Sequence, residues 1–445
     1  MAKKMPQDIC KDYAQEPENI RHLIYIENIE SFARYDEKRG FFKILSKDNF
    51  HRDVYLYMVK EYAQPITTNL TKDIVNQLHW YIQNKIEDVI LSEYIALEDK
   101  LLNLKTGGFE PFSAQKPTFY NIDCKSTDLD IKNCPRWLQF LDEVLINSRG
   151  EPDQELKNLV QEMFGYSLMN TLEGHASFFL VGDGNNGKSV MLSVLRRLVG
   201  EDYAHSATIE SLTTNQFAPV GLIGKKINVS VEEESSFVKS DKFKALVSGD
   251  NPITVEYKFG NSFEWTPTVK FFFATNELPT FTGFNEGLLR RLNIIPFNKR
   301  IGEKERDTKL TEKLYSELGG IVAWALLGMK RLQANKFHFT KAEQAIKKLE
   351  EFSGNLSSGI LFWRENYEKN ENAMTFLDEF YENYKIWADK RGKKKQSYYS
   401  VKADLKKIGL GEEAGGWVVE PCGRREWRKM APIVIKAGGQ EEIVW

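Results

Sequence analysis

An α/β core with a parallel sheet is what the middle of this sequence predicts, and three observations carry the prediction. Short apolar runs recur between Phe178 and Phe297 (FFLV, INVSV, KFFFAT and LNIIPF). Helical or turn-rich stretches separate them, the alternation expected of parallel strands joined by crossovers. The first run also breaks into three glycines within six residues, GDGNNG, before a helical pattern resumes.

That interruption explains itself chemically. Gly182-Asp183-Gly184-Asn185-Asn186-Gly187-Lys188-Ser189-Val190 contains the pattern GxxxxGK[ST] between a strand and a helix, the context in which it cradles phosphates. Backbone N–H groups must face the ligand, and the required backbone angles come cheaply only to glycine. Lys188 is expected to reach the β- and γ-phosphates of ATP, and Ser189 to hold Mg²⁺ at the start of the helix.

A phosphate loop fixes neither reaction nor partner, so the remaining strands matter. INVSV runs into Glu232-Glu233-Glu234, acids at a strand end that suit Mg²⁺ coordination and orientation of an attacking water, with Glu232 the first choice and Glu234 the second. VKFFFAT ends in Asn276 and the turn Glu277-Leu278-Pro279, where an amide can sense the γ-phosphate. Arg290 and Arg291 follow a short helical stretch and precede LNIIPF; in ring-forming ATPases such an arginine reaches the neighbouring subunit's γ-phosphate. Between the acidic and amide strands, Ile253, Val255, Tyr257 and Phe259 alternate with polar residues before a Gly-Asn turn, a β-hairpin pattern.

Outside this core, residues 1–105 read as mixed and mainly helical, 106–170 as a connector with two amphipathic helices, 171–300 as the core, 301–370 as its helical continuation and 371–445 as a small basic unit. Residues 384–429 hold thirteen Lys or Arg against six Asp or Glu, although the whole chain carries a formal charge of −2. That concentration suits phosphate contacts on a duplex. Four cysteines without a CxxC pair and six scattered histidines indicate neither a disulfide framework nor a zinc module. No apolar run is long enough to cross a membrane and no secretory signal is evident, so a cytoplasmic protein is expected.

Taken in order and spacing, GDGNNGKS, the acids after INVSV, FFFATNELP and RRLNIIPF resemble helicase superfamily three, nearest its poxvirus, phage and plasmid primase–helicase branch. The resemblance extends upstream through LEDKLLNLKTGGFEPFSAQKPTFYNIDC and CPRWLQFLDEVL, and downstream through FLDEFYENYKIWADKRGKKKQSYYSVKADLKKIGL. It implies a P-loop ATPase core of the AAA+ type followed by helices and a winged-helix-like domain. It further implies a ring, usually hexameric, that hydrolyses ATP, moves on single-stranded DNA and unwinds forked duplex for a mobile element, with a primase or polymerase as a possible separate partner. By position, Lys188 and Ser189 take the Walker A role, Glu232 and Glu234 Walker B, Asn276 the sensor and Arg291 the trans-acting finger, with Arg290 second. The hairpin implies DNA contacts by Lys258 with Phe259 beside it, and the basic run implies contacts by Lys393, Lys394 and Lys395.

Residues 1–100 lack the chemistry for primer synthesis, and Asp128 and Asp130 read as loop acids. An ATP-switched initiator or loader that binds DNA without processive unwinding is the competing reading. A GTPase is disfavoured by the lack of an NKxD motif, and a small-molecule kinase by the hairpin and basic tail.

Overall fold

The computed structural model describes residues 4–63, 65–87, 92–233, 237–256, 258, 260–282, 286–302, 306–356, 358–369, 377–391, 395–407 and 433–435. It divides into one unit over Met1–Ala345 and a second over Ile346–Trp445.

The first unit opens with α1 (Pro6–Gln15), α2 (Pro17–His22), β1 (Leu23–Ile26), β2 (Ser31–Asp36), β3 (Phe41–Ile44), α3 (Lys47–Glu61), α4 (Thr68–Leu78) and β4 (Lys85–Ile86). Its four strands form a sheet in the order β3-β2-β1-β4. The helical spacing that runs through LTKDIVNQLHWYIQNKIEDVILSEYI is used as helix only to Leu78, after which the chain turns into β4. A smaller antiparallel sheet follows, made of β5 (Tyr94–Ala96), β6 (Leu101–Asn103) and β7 (Phe109–Glu110). Asp128 and Asp130 behave as loop acids: each carboxylate accepts a backbone N–H, from Lys125 and Lys132.

Next come α5 (Pro135–Val144) and α6 (Gln154–Leu168). Periodicity suggests two amphipathic helices, yet α6 is buried on every side from Leu159 to Leu168. The reason is its close pairing with a later helix, described below.

The core then alternates strands and helices: β8 (Ser177–Val181), α7 (Lys188–Val199), β9 (Ala204–His205), α8 (Ile209–Thr214), β10 (Ile227–Glu233), β11 (Phe237–Lys239), α9 (Ser240–Ser248), the hairpin strands β12 (Ile253–Glu256) and β13 (Ser262–Trp265), β14 (Lys270–Thr275), β15 (Thr280–Thr282), α10 (Glu286–Leu289) and β16 (Leu292–Pro296). Five of the strands pair in parallel in the order β16-β8-β14-β10-β9. Every residue of β8 and β14 is buried, as a parallel sheet covered on both faces requires. Their register sets Phe178 against Phe272 and Phe179 against Phe273, stacked with ring centroids 5.4 and 5.0 Å apart. Each buried ring contributes roughly 1.5–3 kcal/mol through area removed from water.

The unit ends with α11 (Leu310–Ser316), α12 (Leu318–Ala334) and the start of α13 (Glu343–Leu356). Helices α6 and α12 approach through paired glycines. A Cβ on Gly165 would fall 2.3 Å from Met329 N, and one on Gly328 2.1 Å from Gln161 O. Arg331 locks the pair, its Nε donating to the fully buried Glu162 at 2.6 Å, and Thr340 N donates to the other Glu162 oxygen at 2.7 Å.

Two lysines break the apolar rule where the parallel strands begin. Lys270 Nζ donates to Met169 O at 2.7 Å and lies 5.0 Å from the Tyr166 ring centre, and Lys226 Nζ stands 4.1 Å from the Tyr120 ring centre. Burial pushes Lys270 down from 10.5 to about 7, and Lys226 is lowered as well, first by burial and then by Lys270. Between pH 7 and about 10.4 the unfolded chain holds a proton that folded Lys270 releases, so its contribution to stability is complete above that range and is lost as pH falls toward 7. Accordingly, the melting temperature of the wild-type chain should rise relative to Lys270→Met as pH goes from 7 to 9.5. Parallel melting curves over that range would show that Lys270 keeps an ordinary pKa.

In the second unit, α14 (Ser358–Asn366), β17 (Tyr367–Lys369), α15 (Leu377–Lys390), α16 (Tyr398–Lys407) and β18 (Ile433–Ile435) surround a core that includes Phe362, Phe380, Tyr384, Trp387, Val401 and Leu405. Strands β17 and β18 pair antiparallel.

Candidate nucleotide site

The chain leaves β8 at Val181, crosses Gly182–Gly187 and enters α7 at Lys188. Two residues of this loop hold positive φ, Asn185 at 58° and Gly187 at 94°. Gly182 is excluded from carrying a side chain for a second reason: its Cβ would lie 2.3 Å from Phe297 O. The exit of β16 braces the loop, since Ile301 N donates to Asn185 O at 2.8 Å and Asn186 Nδ2 donates to Phe297 O at 3.3 Å. A braced, glycine-containing loop at a helix N-terminus has the electrostatic character of an anion cradle.

Lys188 is buried and folds back along the loop. Its Nζ donates to Gly182 O, to Asp183 O at 3.3 Å and to Asn276 Oδ1 at 3.4 Å. Burial holds its pKa below the usual lysine value, with Asp183 opposing. Ser189 is exposed on the first turn of α7 and, with Gly184, Asn185, Asn186, Gly187 and Val190, lines a cleft of about 1450 Å³.

Strand order explains what else reaches this cleft. β14 lies directly beside β8, so Asn276 emerges next to the loop. The acidic strand β10 is one position further out, with β14 between it and β8, rather than an immediate neighbour of the loop strand. The β10–β14 register shifts between Val231 and Glu233, which makes Glu232 the extra residue of a bulge at the end of the strand. Bulges of this kind bend a strand and re-aim a side chain near functional sites. Val231 and Asn276 line the cleft from these two strand ends. The Glu232 side chain and the whole of Glu234 lie outside the described residues.

The two arginines differ in a way the sequence did not indicate. Arg291 is buried, with Nη1 donating to Gly287 O at 2.7 Å and Nη2 3.9 Å from Asp250; burial lowers its pKa, with Arg290 adding to the effect and Asp250 opposing. Arg290 is exposed. Of the two, only Arg290 presents its side chain at the surface of this chain. Both precede β16, whose register places Leu292 opposite Ser177, the residue that begins β8. They thus stand at the opposite end of the strands from the loop, about 16 Å away at roughly 3.3 Å per residue.

Hairpin β12–β13 pairs Ile253 with Trp265 and Glu256 with Ser262. Val255 and Trp265 anchor it by burial, and Lys258 is exposed at the tip. Tyr257 and Phe259 lie outside the described residues, as do Lys393 and Lys394. Lys395 is exposed and pairs with Asp389 at 2.6 Å.

Sequence reasoning missed the far wall of the cleft. Arg136, Phe140 and Glu143 of α5 line it, joined by Lys299, Arg306 and Thr311 from beyond β16. Glu317 fixes α5 from a distance in sequence, accepting from Arg136 N at 3.0 Å and Trp137 N at 2.9 Å. Phe140 also packs under the loop, 3.0 Å from where a Gly187 Cβ would stand. The only available signal was the apolar spacing of CPRWLQFLDEVL, which marks a packed helix and not a ligand wall.

Comparison with known proteins bears on this same segment. A family profile described as "Family of unknown function (DUF5906)" matches residues 180–291, from the loop strand to Arg291. A protein of Acanthamoeba polyphaga mimivirus named "Putative helicase L207/L206" is 26% identical over 183 residues. That match covers 39% of this chain, which spans only 19% of the viral protein's length. Two solved structures of the NrS-1 C-terminal region each align with a TM-score of 0.51 at 13% identity, over 97% of this chain and 100% of theirs. At that identity the likeness speaks to the fold. Among the described residues no helix is long and apolar enough to cross a membrane.

Proposed function

We propose that this chain is an ATP-dependent DNA helicase of a phage, plasmid or similar mobile element, working as a ring of the superfamily-three, AAA+ type. The observation that carries the reading is convergence: the glycine loop with Lys188, the amide of Asn276 and the bulged end of β10 at Glu232 come to one edge of a single parallel sheet. Ligands of open α/β sheets bind outside the carboxyl ends of the strands, and this edge is that end. The viral relative named as a helicase supports the choice of reaction.

ATP bound with Mg²⁺ would supply the phosphoanhydride whose cleavage drives movement. The residues present fit it: loop N–H groups and Lys188 for phosphates, Ser189 and Glu232 for the metal, and Asn276 beside Lys188 to register the γ-phosphate. Glu234 is the second acid. Arg290 takes the finger role on exposure. Because neither arginine lies near its own chain's loop, the role requires a second copy, which is the argument for a ring. Lys258 at the hairpin tip is the contact to the translocating strand, and the basic C-terminal unit with Lys395 is a winged-helix-like contact to duplex.

ATP hydrolysis measured with and without single-stranded DNA tests this reading, and hydrolysis indifferent to DNA would refute it. Lys258→Ala should leave DNA-independent turnover nearly intact and lose the stimulation. The slope of log K against log salt for single-strand binding should fall by about 0.7 for the lost phosphate contact.

A further inference from the structure

Three stretches of chain that are distant in sequence meet where the hairpin β12–β13 leaves the core. Helix α9 ends at Gly249, whose φ is 60° and whose surroundings leave no room for a side chain: a Cβ there would fall 2.4 Å from Pro267 O and 2.7 Å from Leu172 Cδ1. Pro267 follows the second hairpin strand and Leu172 precedes β8. Both legs of the hairpin are thus pressed together at the root, against the turn in which His175 N donates to Leu172 O at 2.7 Å.

The residue after this glycine is Asp250, and its two carboxylate oxygens point to different segments. One lies 3.9 Å from Arg291 Nη2 and the other 3.8 Å from His175 Nδ1. A carboxylate just past a helix C-terminus opposes the helix dipole, so its charge does not stabilise α9. Its contribution lies in the contact across to Arg291.

Arg291 is in turn fastened to the start of the loop strand. Its carbonyl accepts from Ser177 N at 2.8 Å and from Ser177 Oγ at 2.7 Å, and its Nη1 donates to Gly287 O in α10. Arg290, the next residue back, is exposed. One carboxylate therefore bridges the segment that carries Arg290 and the root of the hairpin that carries Lys258.

Asp250 is 52% exposed, so these contacts add little to stability. Separations of 3.8 and 3.9 Å are also too long for hydrogen bonds, which leaves an attraction between charges that follows a displacement without a bond having to break.

We propose that Asp250 is a positioning residue that couples the arginine segment to the hairpin, so that a neighbouring copy's nucleotide at Arg290 and single-stranded DNA at Lys258 each alter the other's affinity. The two ligands and the neighbouring copy rest on the helicase reading; the meeting of the three segments does not. Linkage makes the effect reciprocal: the factor that nucleotide imposes on DNA affinity is the factor that DNA imposes on nucleotide affinity.

The test uses the full chain and a fluorescent oligothymidine read by anisotropy, with and without a non-hydrolysable ATP analogue and Mg²⁺. In the wild-type chain the analogue should change DNA affinity by a factor of about 5–150, the usual span of coupling between sites. Asp250→Asn keeps the shape of the side chain and removes its charge. It should abolish that factor while the affinity for each ligand alone and the melting temperature stay at their wild-type values. Asp250→Glu, which retains the charge, should retain the coupling. A wild-type factor in Asp250→Asn, or its loss in Asp250→Glu, would overturn the proposal. So would weaker binding of DNA alone together with a lower melting temperature in Asp250→Asn, which would make the residue a structural support of the hairpin. Failure of the helicase reading shows differently, as a wild-type chain whose hydrolysis is indifferent to DNA, with no coupling present before any substitution.

Discussion

Lys188→Ala is expected to abolish ATP turnover while leaving the chain folded. The lysine's present partners are loop carbonyls and the Asn276 amide, and no acid neutralises it through an ion pair among the described residues. Its replacement therefore strands no buried carboxylate, and the loss falls on phosphate binding and on the charge that develops during transfer. Glu232→Gln separates the two halves of the site: it should retain nucleotide affinity and stop hydrolysis. Phosphate release and binding of a fluorescent nucleotide measure both. Wild-type hydrolysis by the glutamine variant would remove Glu232 from the catalytic set.

The second large effect belongs to the arginine pair. Arg290→Ala should cost on the order of 10³-fold in turnover, the magnitude associated with a finger that stabilises the transferring phosphoryl group. Arg291→Ala should act mainly on folding, lowering the melting temperature, because its guanidinium is buried and bonded to Gly287. Since the finger serves a neighbour, mixing Lys188→Ala with Arg290→Ala protein should restore activity at hybrid interfaces. If Arg291→Ala produces the 10³-fold loss at an unchanged melting temperature, the two roles are exchanged.

These residues also show what a sequence makes legible. The loop at Gly182–Ser189 was readable because the demand is local: glycines, a lysine and a hydroxyl between a strand and a helix. The hairpin was readable as alternation, but its register was not: a two-residue Gly-Asn turn would set residue 259 against Ser262, whereas Glu256 pairs with Ser262 across a five-residue connection. Asn276 was readable as the tip of a largely apolar run, and β14 does lie beside β8. Strand order was less accessible, so the insertion of β14 between β8 and the acidic strand emerged only from pairing. Exposure of Arg290 against burial of Arg291 depends on how α10 meets β16, which no pattern in RR encodes. The wall formed by Arg136 and Glu143 joins α5 to residues more than 150 positions away, and such contacts leave no periodic trace.

Strand displacement on a forked DNA duplex tests the central claim most directly. The wild-type chain, given ATP and Mg²⁺, should release the labelled strand, and the release should vanish with a non-hydrolysable ATP analogue and with Lys188→Ala. Binding the fork and hydrolysing ATP at a DNA-stimulated rate while releasing no strand would contradict a helicase and leave an ATP-switched loader in its place.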